Sequence, residues 1–142
     1  MPSLHYLLML SHSLLNRRIL DEAAELGLSP GQPKVLEYLH LHGTQNQRSI
    51  AEYCRIEPAT VGSILSRMEE AGLVERRQKN GDRRALYVSL TPAGETAADA
   101  IAAVFDRADQ QAVSRMTEAE AAQMTALLEK VCAALPEEGA QR

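Results

Sequence analysis

Apolar residues recur at helical spacing from the start of the chain. Leu4, Leu7, Leu8, Leu15, Ile19 and Leu26 form one periodic run that Gly27 ends, which predicts a first long helix. Ser29 and Pro30 then read as N-cap and first-turn proline of a second helix. It places Val35, Leu36 and Leu39 inward and closes before Gly43. Asn46 is a good N-cap for a short third helix with Ile50, Ala51 and Cys54 inward. A tight turn at Arg55 to Glu57, plugged by Ile56, leads to Pro58, where a fourth helix starts and runs to about Ala71, with Gly72 just past its end. Two short helices joined by a tight turn make a helix-turn-helix.

After Gly72 the period shortens. Leu73-Val74 and Leu86 to Leu90 read as two short strands. Between them Asn80-Gly81-Asp82 supplies a reversal signal, so the segment is expected to be a β-hairpin. Thr91 caps a long Ala-rich helix that begins at Pro92 and carries Ala97, Ile101, Val104, Phe105 and Ala108. Thr117 and Glu120 form a capping box for the last helix, with Met124, Leu127, Leu128 and Val131 on one face. From Pro136 the end looks frayed. The expected fold is therefore mostly α with a small β-hairpin, a winged helix-turn-helix flanked by further helices at both ends.

The faces of the fourth helix carry the chemistry. Val61, Ile64, Leu65 and Met68 fall at i, i+3, i+4 and i+7 and point inward. The other face shows Ala59, Thr60, Gly62, Ser63, Ser66 and Arg67, where a solvated helix would usually carry Lys, Glu and Gln. Small side chains allow close approach to a groove, hydroxyls bond phosphates or base edges, and Arg pairs a guanine or a phosphate. The loop of the hairpin that follows holds Arg76, Arg77, Lys79, Arg83 and Arg84 against the single acid Asp82. Cations so placed suit backbone phosphates and the narrow minor groove, and Asp82 can hold Arg84 in position.

Composition sharpens this reading. The chain has 142 residues, 45% of them hydrophobic but only 4% aromatic, with no Trp and a single Phe. A core of Leu, Ile, Val, Ala and Met favours helices packed on helices. The formal net charge of -4 argues against nucleic acid only if the charge is spread evenly. Here one basic segment sits on an otherwise acidic body, and location outweighs the total. The face Leu4, Leu7, Leu8, Ile101, Val104, Phe105, Leu127, Leu128 and Val131 exceeds what one small winged domain can cover, which points to a second copy of the chain.

Other chemistries find little support. Cys54 and Cys132 match no zinc or CxxC spacing and read as small buried thiols. His5, His12, His40 and His42 do not pair on one helix face with carboxylates, so no metal is expected. There is no Gly-rich phosphate loop and no nucleophile–base pair, which argues against an enzyme and against a bound cofactor. No apolar run approaches a membrane span, and the N-terminus lacks a basic leader with a cleavage site, so a cytoplasmic protein is expected.

Several stretches together resemble the MarR family of bacterial regulators. They are Gly27-Leu28-Ser29-Pro30-Gly31-Gln32, Ser49-Ile50-Ala51, Glu69-Glu70-Ala71-Gly72-Leu73-Val74-Glu75-Arg76, Asp82-Arg83-Arg84 and Val88-Ser89-Leu90-Thr91-Pro92-Ala93-Gly94. The resemblance implies one domain over 1–142, with a winged core at about 28–92, dimerisation helices at 1–27 and 93–136, and a frayed tail at 137–142. It implies a ligand-responsive repressor that reads a palindromic double-stranded DNA operator as a homodimer. Carried over by position, Ala59, Thr60, Ser63, Ser66 and Arg67 would meet the major groove. Gln45, Asn46 and Gln47 would open the helix that crosses the backbone, and Arg76, Arg77, Lys79, Arg83 and Arg84, supported by Asp82, would serve the wing. His12, Asn16, Arg17 and Tyr38 would flank a cleft for a small phenolic or lipophilic effector. The rival reading is a winged-helix module for protein contacts without sequence-specific DNA binding.

Overall fold

The computed structural model describes residues 1–79 and 82–137, and the side chains of all of these except residues 79 and 82–85. The elements run α1 (Leu4–Glu25), α2 (Gln32–His42), β1 (Gln45–Asn46), α3 (Gln47–Cys54), α4 (Pro58–Glu70), β2 (Val74–Lys79), β3 (Asp82–Leu90), α5 (Pro92–Ala112) and α6 (Glu118–Ala134). They divide into two compact units, Met1–Ala108 and the residues from Asp109 onward.

In the first unit one core joins α2, α3, α4, β2, β3 and α5. Val35, Leu36 and Leu39 meet Ile50, Val61, Leu65, Met68, Val88, Ile101 and Val104, all essentially without solvent contact. Burying each of these large side chains stabilises the fold by roughly 1.5–3 kcal/mol before conformational entropy is counted. Ile101 and Val104, expected on a face that needs a second chain, are thus already covered within this unit. The α1 face is not: Leu4, Tyr6, Leu7, Met9 and Leu14 are exposed, and only Ala23 of that helix is buried.

Helix α2 starts later than the Ser29–Pro30 signal predicted. Its N-cap is Gly31, at φ 90°, and Ser29 closes a turn in which its N–H donates to Gln32 Oε1 at 3.0 Å. Position 31 favours glycine chiefly through its backbone. The positive φ disfavours other residues, and a Cβ would come within 2.5 Å of Ile64 Cδ1 on α4. Pro33 then falls in the first turn, where the N–H it lacks has no partner to lose.

The sheet has the order β1-β3-β2, with both pairs antiparallel. β1 pairs Gln45 with Val88, a two-residue strand that hydrophobic pattern could not announce. β2 begins at Val74 rather than Leu73, and the basic segment expected in a loop is extended strand: Arg76 pairs with Val88 and Arg77 with Tyr87. An exposed two-stranded ribbon needs ladder hydrogen bonds more than apolar alternation, so its polar sequence concealed it. The Asn80-Gly81 reversal itself lies outside the described residues.

The second unit contains the end of α5 and α6. Thr117 Oγ1 accepts from the N–H of Glu120 at 3.1 Å, and Glu120 Oε2 accepts from the N–H of Thr117 at 3.0 Å, the capping box expected from sequence. No residue of α6 is buried. Leu127 and Leu128 are exposed, and so is Cys132, which had been expected among small core residues.

Candidate nucleic-acid interface

The helix-turn-helix is built by local chemistry. Asn46 Oδ1 caps α3 by accepting from the N–H of Ser49 at 2.8 Å. Arg55 ends that helix in the left-handed region at φ 56°, and the N–H of Ile56 returns to Ala51 O at 3.1 Å. Pro58 then opens α4 in a position where its missing N–H costs nothing.

Helix α4 is fixed from below and open above. Val61, Leu65 and Met68 are fully buried, while Ala59, Thr60, Ser63 and Arg67 are exposed. Ser63 Oγ lies 3.5 Å from Ala59 O, a bond at the long limit that leaves the hydroxyl available. Arg67 has no side-chain partner among the described residues. Ile64, expected wholly inward, is half-buried and lines a cleft instead.

Of the residues expected at the interface, Arg76 bonds two others, Gln47 and Ser66. Arg76 Nη1 donates to Gln47 Oε1 at 3.3 Å, and Nη2 donates to Ser66 Oγ at 3.0 Å and Glu69 Oε1 at 3.3 Å. The backbone N–H of Arg76 reaches Glu69 Oε2 at 3.3 Å, so the carboxylate takes two bonds from one residue. Hydrogen bonding from Arg76 holds the Glu69 carboxyl below the usual carboxylate range. Only 18% of the Arg76 side chain is exposed. Arg77, on the other face of the ribbon, is exposed and pairs with Glu75 at 3.0 Å. Lys79, Asp82, Arg83 and Arg84 lie on the two strands, with their side chains outside the described residues.

Glu69 was not singled out from sequence. Its link to Arg76 crosses a helix–strand joint that no periodicity reports. Val74 offers a signal, since a buried strand residue two positions before Arg76 directs Arg76 to the same face.

A cleft of about 310 Å³ opens in the first unit beside α4. Asn16, Ile19 and Leu20 of α1, Lys34 of α2, Thr60 and Ile64 of α4, and Phe105 of α5 are among its walls. Of the four expected effector contacts only Asn16 lines it. His12 and Arg17 are exposed elsewhere on α1. Tyr38 is buried in a different place, its ring stacked on Tyr53 at 4.3 Å and its hydroxyl donating to Gln45 Oε1 at 3.4 Å. The sequence reading placed Tyr38 by element, and the helix turns it the other way.

Burial pushes the Cys54 thiol up to about 11, so it stays protonated near neutral pH. His40 Nδ1 lies 2.9 Å from Glu95 Oε2. Among the described residues no group of three His, Cys, Asp or Glu side chains is arranged to hold a metal.

Comparison with known proteins agrees with this geometry. The MarR family model matches residues 28–86. The HTH-type transcriptional repressor MdtR of Bacillus subtilis is 31% identical over 113 residues, spanning 78% of this chain and 73% of MdtR. An HTH-type transcriptional repressor of Mycobacterium bovis is 26% identical over 128 residues, 90% of this chain and 92% of its own length. The crystal structure of the Staphylococcus aureus MepR–DNA complex superposes with a TM-score of 0.85 at 26% identity, covering 95% of this chain and 100% of that one. With a helix-turn-helix, a two-stranded wing and flanking helices in the family's order, the chain belongs to the MarR family of winged helix-turn-helix transcriptional regulators.

Proposed function

We propose that the chain is a DNA-binding transcriptional repressor, not an enzyme, acting in the cytoplasm as a homodimer on a palindromic operator. The observation that carries this is α4: a helix locked into the core by Val61, Leu65 and Met68 whose exposed residues from Ala59 to Arg67 are Ala59, Thr60, Ser63 and one cation, Arg67, with the exposed acids Glu69 and Glu70 confined to its last turn. Such a face can enter a major groove closely and read base edges. Arg77, Lys79, Arg83 and Arg84 follow on the ribbon as backbone contacts. Family membership and the repressor names of the relatives support the same reading.

The exposed leucines of α1 and the uncovered face of α6 support dimerisation, because both need a partner surface. The cleft beside α4 would take the effector. Its walls are apolar apart from Asn16, Thr60 and Lys34, which suits a small lipophilic or phenolic molecule carrying one polar or anionic group. Occupation would press on Thr60 and Ile64 and so act directly on the recognition helix.

The test is binding of the purified protein to DNA from its own upstream region, by fluorescence anisotropy over a salt series. Tighter binding than to a scrambled duplex, falling steeply with salt and weakened by Arg67→Ala and Arg84→Ala, is expected. Equal binding to both duplexes at all salt concentrations would favour a winged module for protein contacts. Sedimentation equilibrium reads the dimer, and release of the bound probe by phenolic compounds reads the effector.

A further inference from the structure

Arg76 stands on β2 two residues after buried Val74 and opposite buried Val88, so its side chain leaves the ribbon on the core side. There its guanidinium meets Gln47 of α3 together with Ser66 and Glu69 of α4. Ser66 is further committed, since its hydroxyl donates to Gly62 O at 2.9 Å. Every partner belongs to an element that the DNA-binding reading uses: the backbone-crossing helix, the recognition helix and the wing.

We propose that Arg76 is a positioning residue that fixes the wing against α3 and α4, rather than a contact to DNA; this rests on the DNA-binding reading above. A phosphate contact would require the guanidinium to abandon acceptors on two helices and leave Glu69 without its cation. The planar fork is suited to holding several acceptors at set angles, which an ammonium cannot reproduce. The Glu69 carboxylate also grips the backbone N–H of Arg76, so the start of β2 is tied to the last turns of α4 by main chain as well as side chain. Arg77, one residue later, points to the opposite face and is free of this cluster. The basic segment is thereby divided in labour: Arg76 sets the angle between wing and recognition helix, and the cations after it meet the phosphates.

Charge and shape separate the two roles. Arg76→Gln and Arg76→Lys are compared with the parent on operator and scrambled duplexes over a salt series. Circular dichroism verifies that each variant is folded. A positioning role predicts that both variants lose operator affinity by about tenfold, the equivalent of one charge-assisted hydrogen bond. The slope of log affinity against log salt and the affinity for scrambled DNA stay unchanged. A phosphate role predicts instead that Arg76→Lys is nearly silent, and that Arg76→Gln lowers the slope by about 0.9 per contact and weakens both duplexes. A parent protein that does not discriminate the duplexes overturns the DNA reading itself. A discriminating parent with a lowered slope in Arg76→Gln overturns only the assignment of Arg76.

Discussion

Replacing Gly94 with alanine sets two effects against each other. Gly94 is the third residue of α5, and alanine there removes the entropic weakness of glycine in a helix, a gain of at most about 1 kcal/mol and about half that in the first turn. The position, however, lies against main chain. A methyl would sit 2.0 Å from Leu73 O, 3.1 Å from Leu73 C and 3.1 Å from Leu90 Cδ2. The first distance is about 1.5 Å short of an ordinary non-bonded contact. Leu73 cannot move aside easily, because its carbonyl accepts from the N–H of Thr91 at 3.1 Å. Thr91 in turn bonds Gly72 O through its hydroxyl at 2.6 Å and caps the N–H of Gly94 at 3.0 Å. The methyl therefore has to displace α5 from the joint between α4 and β2.

Overpacking of this kind costs about 3 kcal/mol when the obstacle is backbone. The expected net loss is about 2.5 kcal/mol, or about 8 °C in Tm for a chain of this size. Gly62, inside α4, is the matched control, since a Cβ there meets nothing within 4 Å. Gly62→Ala should raise stability by about 0.5–1 kcal/mol, while placing a methyl on the face proposed to meet DNA. Urea unfolding followed by circular dichroism reads both variants. A Gly94→Ala protein as stable as its parent, or shifted in the same direction as Gly62→Ala, would refute the claim that this glycine is required by close approach.

Other consequences are open to the same methods. Met68→Ala removes a fully buried side chain beneath the recognition helix and should cost about 2–5 kcal/mol in urea unfolding. Asn46→Ala removes the α3 cap and should cost about 1 kcal/mol, whereas Asn46→Asp should retain it. Iodoacetamide at pH 8 should reach Cys54 only on unfolding, as mass spectrometry of peptides would report. Because the folded Cys54 thiol titrates near 11 against an ordinary 9.0, its contribution to stability is complete below pH 9 and is lost as pH rises toward 11. The depressed Glu69 carboxyl has the opposite sign: its contribution is present above its ordinary 4.5 and is lost as the solution is acidified, so Glu69→Gln should flatten the acid limb of the stability curve.

The helices were legible because each is written twice, in a 3.6-residue apolar period and in its caps. Asn46, Pro58 and the Thr117–Glu120 box start their helices where sequence placed them. Ser29 misled because Ser followed by Pro is an equally good turn, and Gly31, one residue before the true start, takes a positive φ that no apolar period announces. The exposed half of α4 was legible for the converse reason, since from Ala59 to Ser66 its outward residues are Ala, Thr, Gly and Ser, without the charged residues that solvent alone would favour. What sequence could not divide was the basic segment. Composition treats Arg76 and Arg77 as equals, but a strand sends neighbours to opposite faces, and only the register of Val74 and Arg76 against Leu90 and Val88 separates them. A winged reader needs both kinds of arginine. Cations that meet phosphate supply affinity without sequence information, and that affinity becomes discrimination only if wing and helix are held at one angle, the task for which a half-buried fork on three acceptors is built.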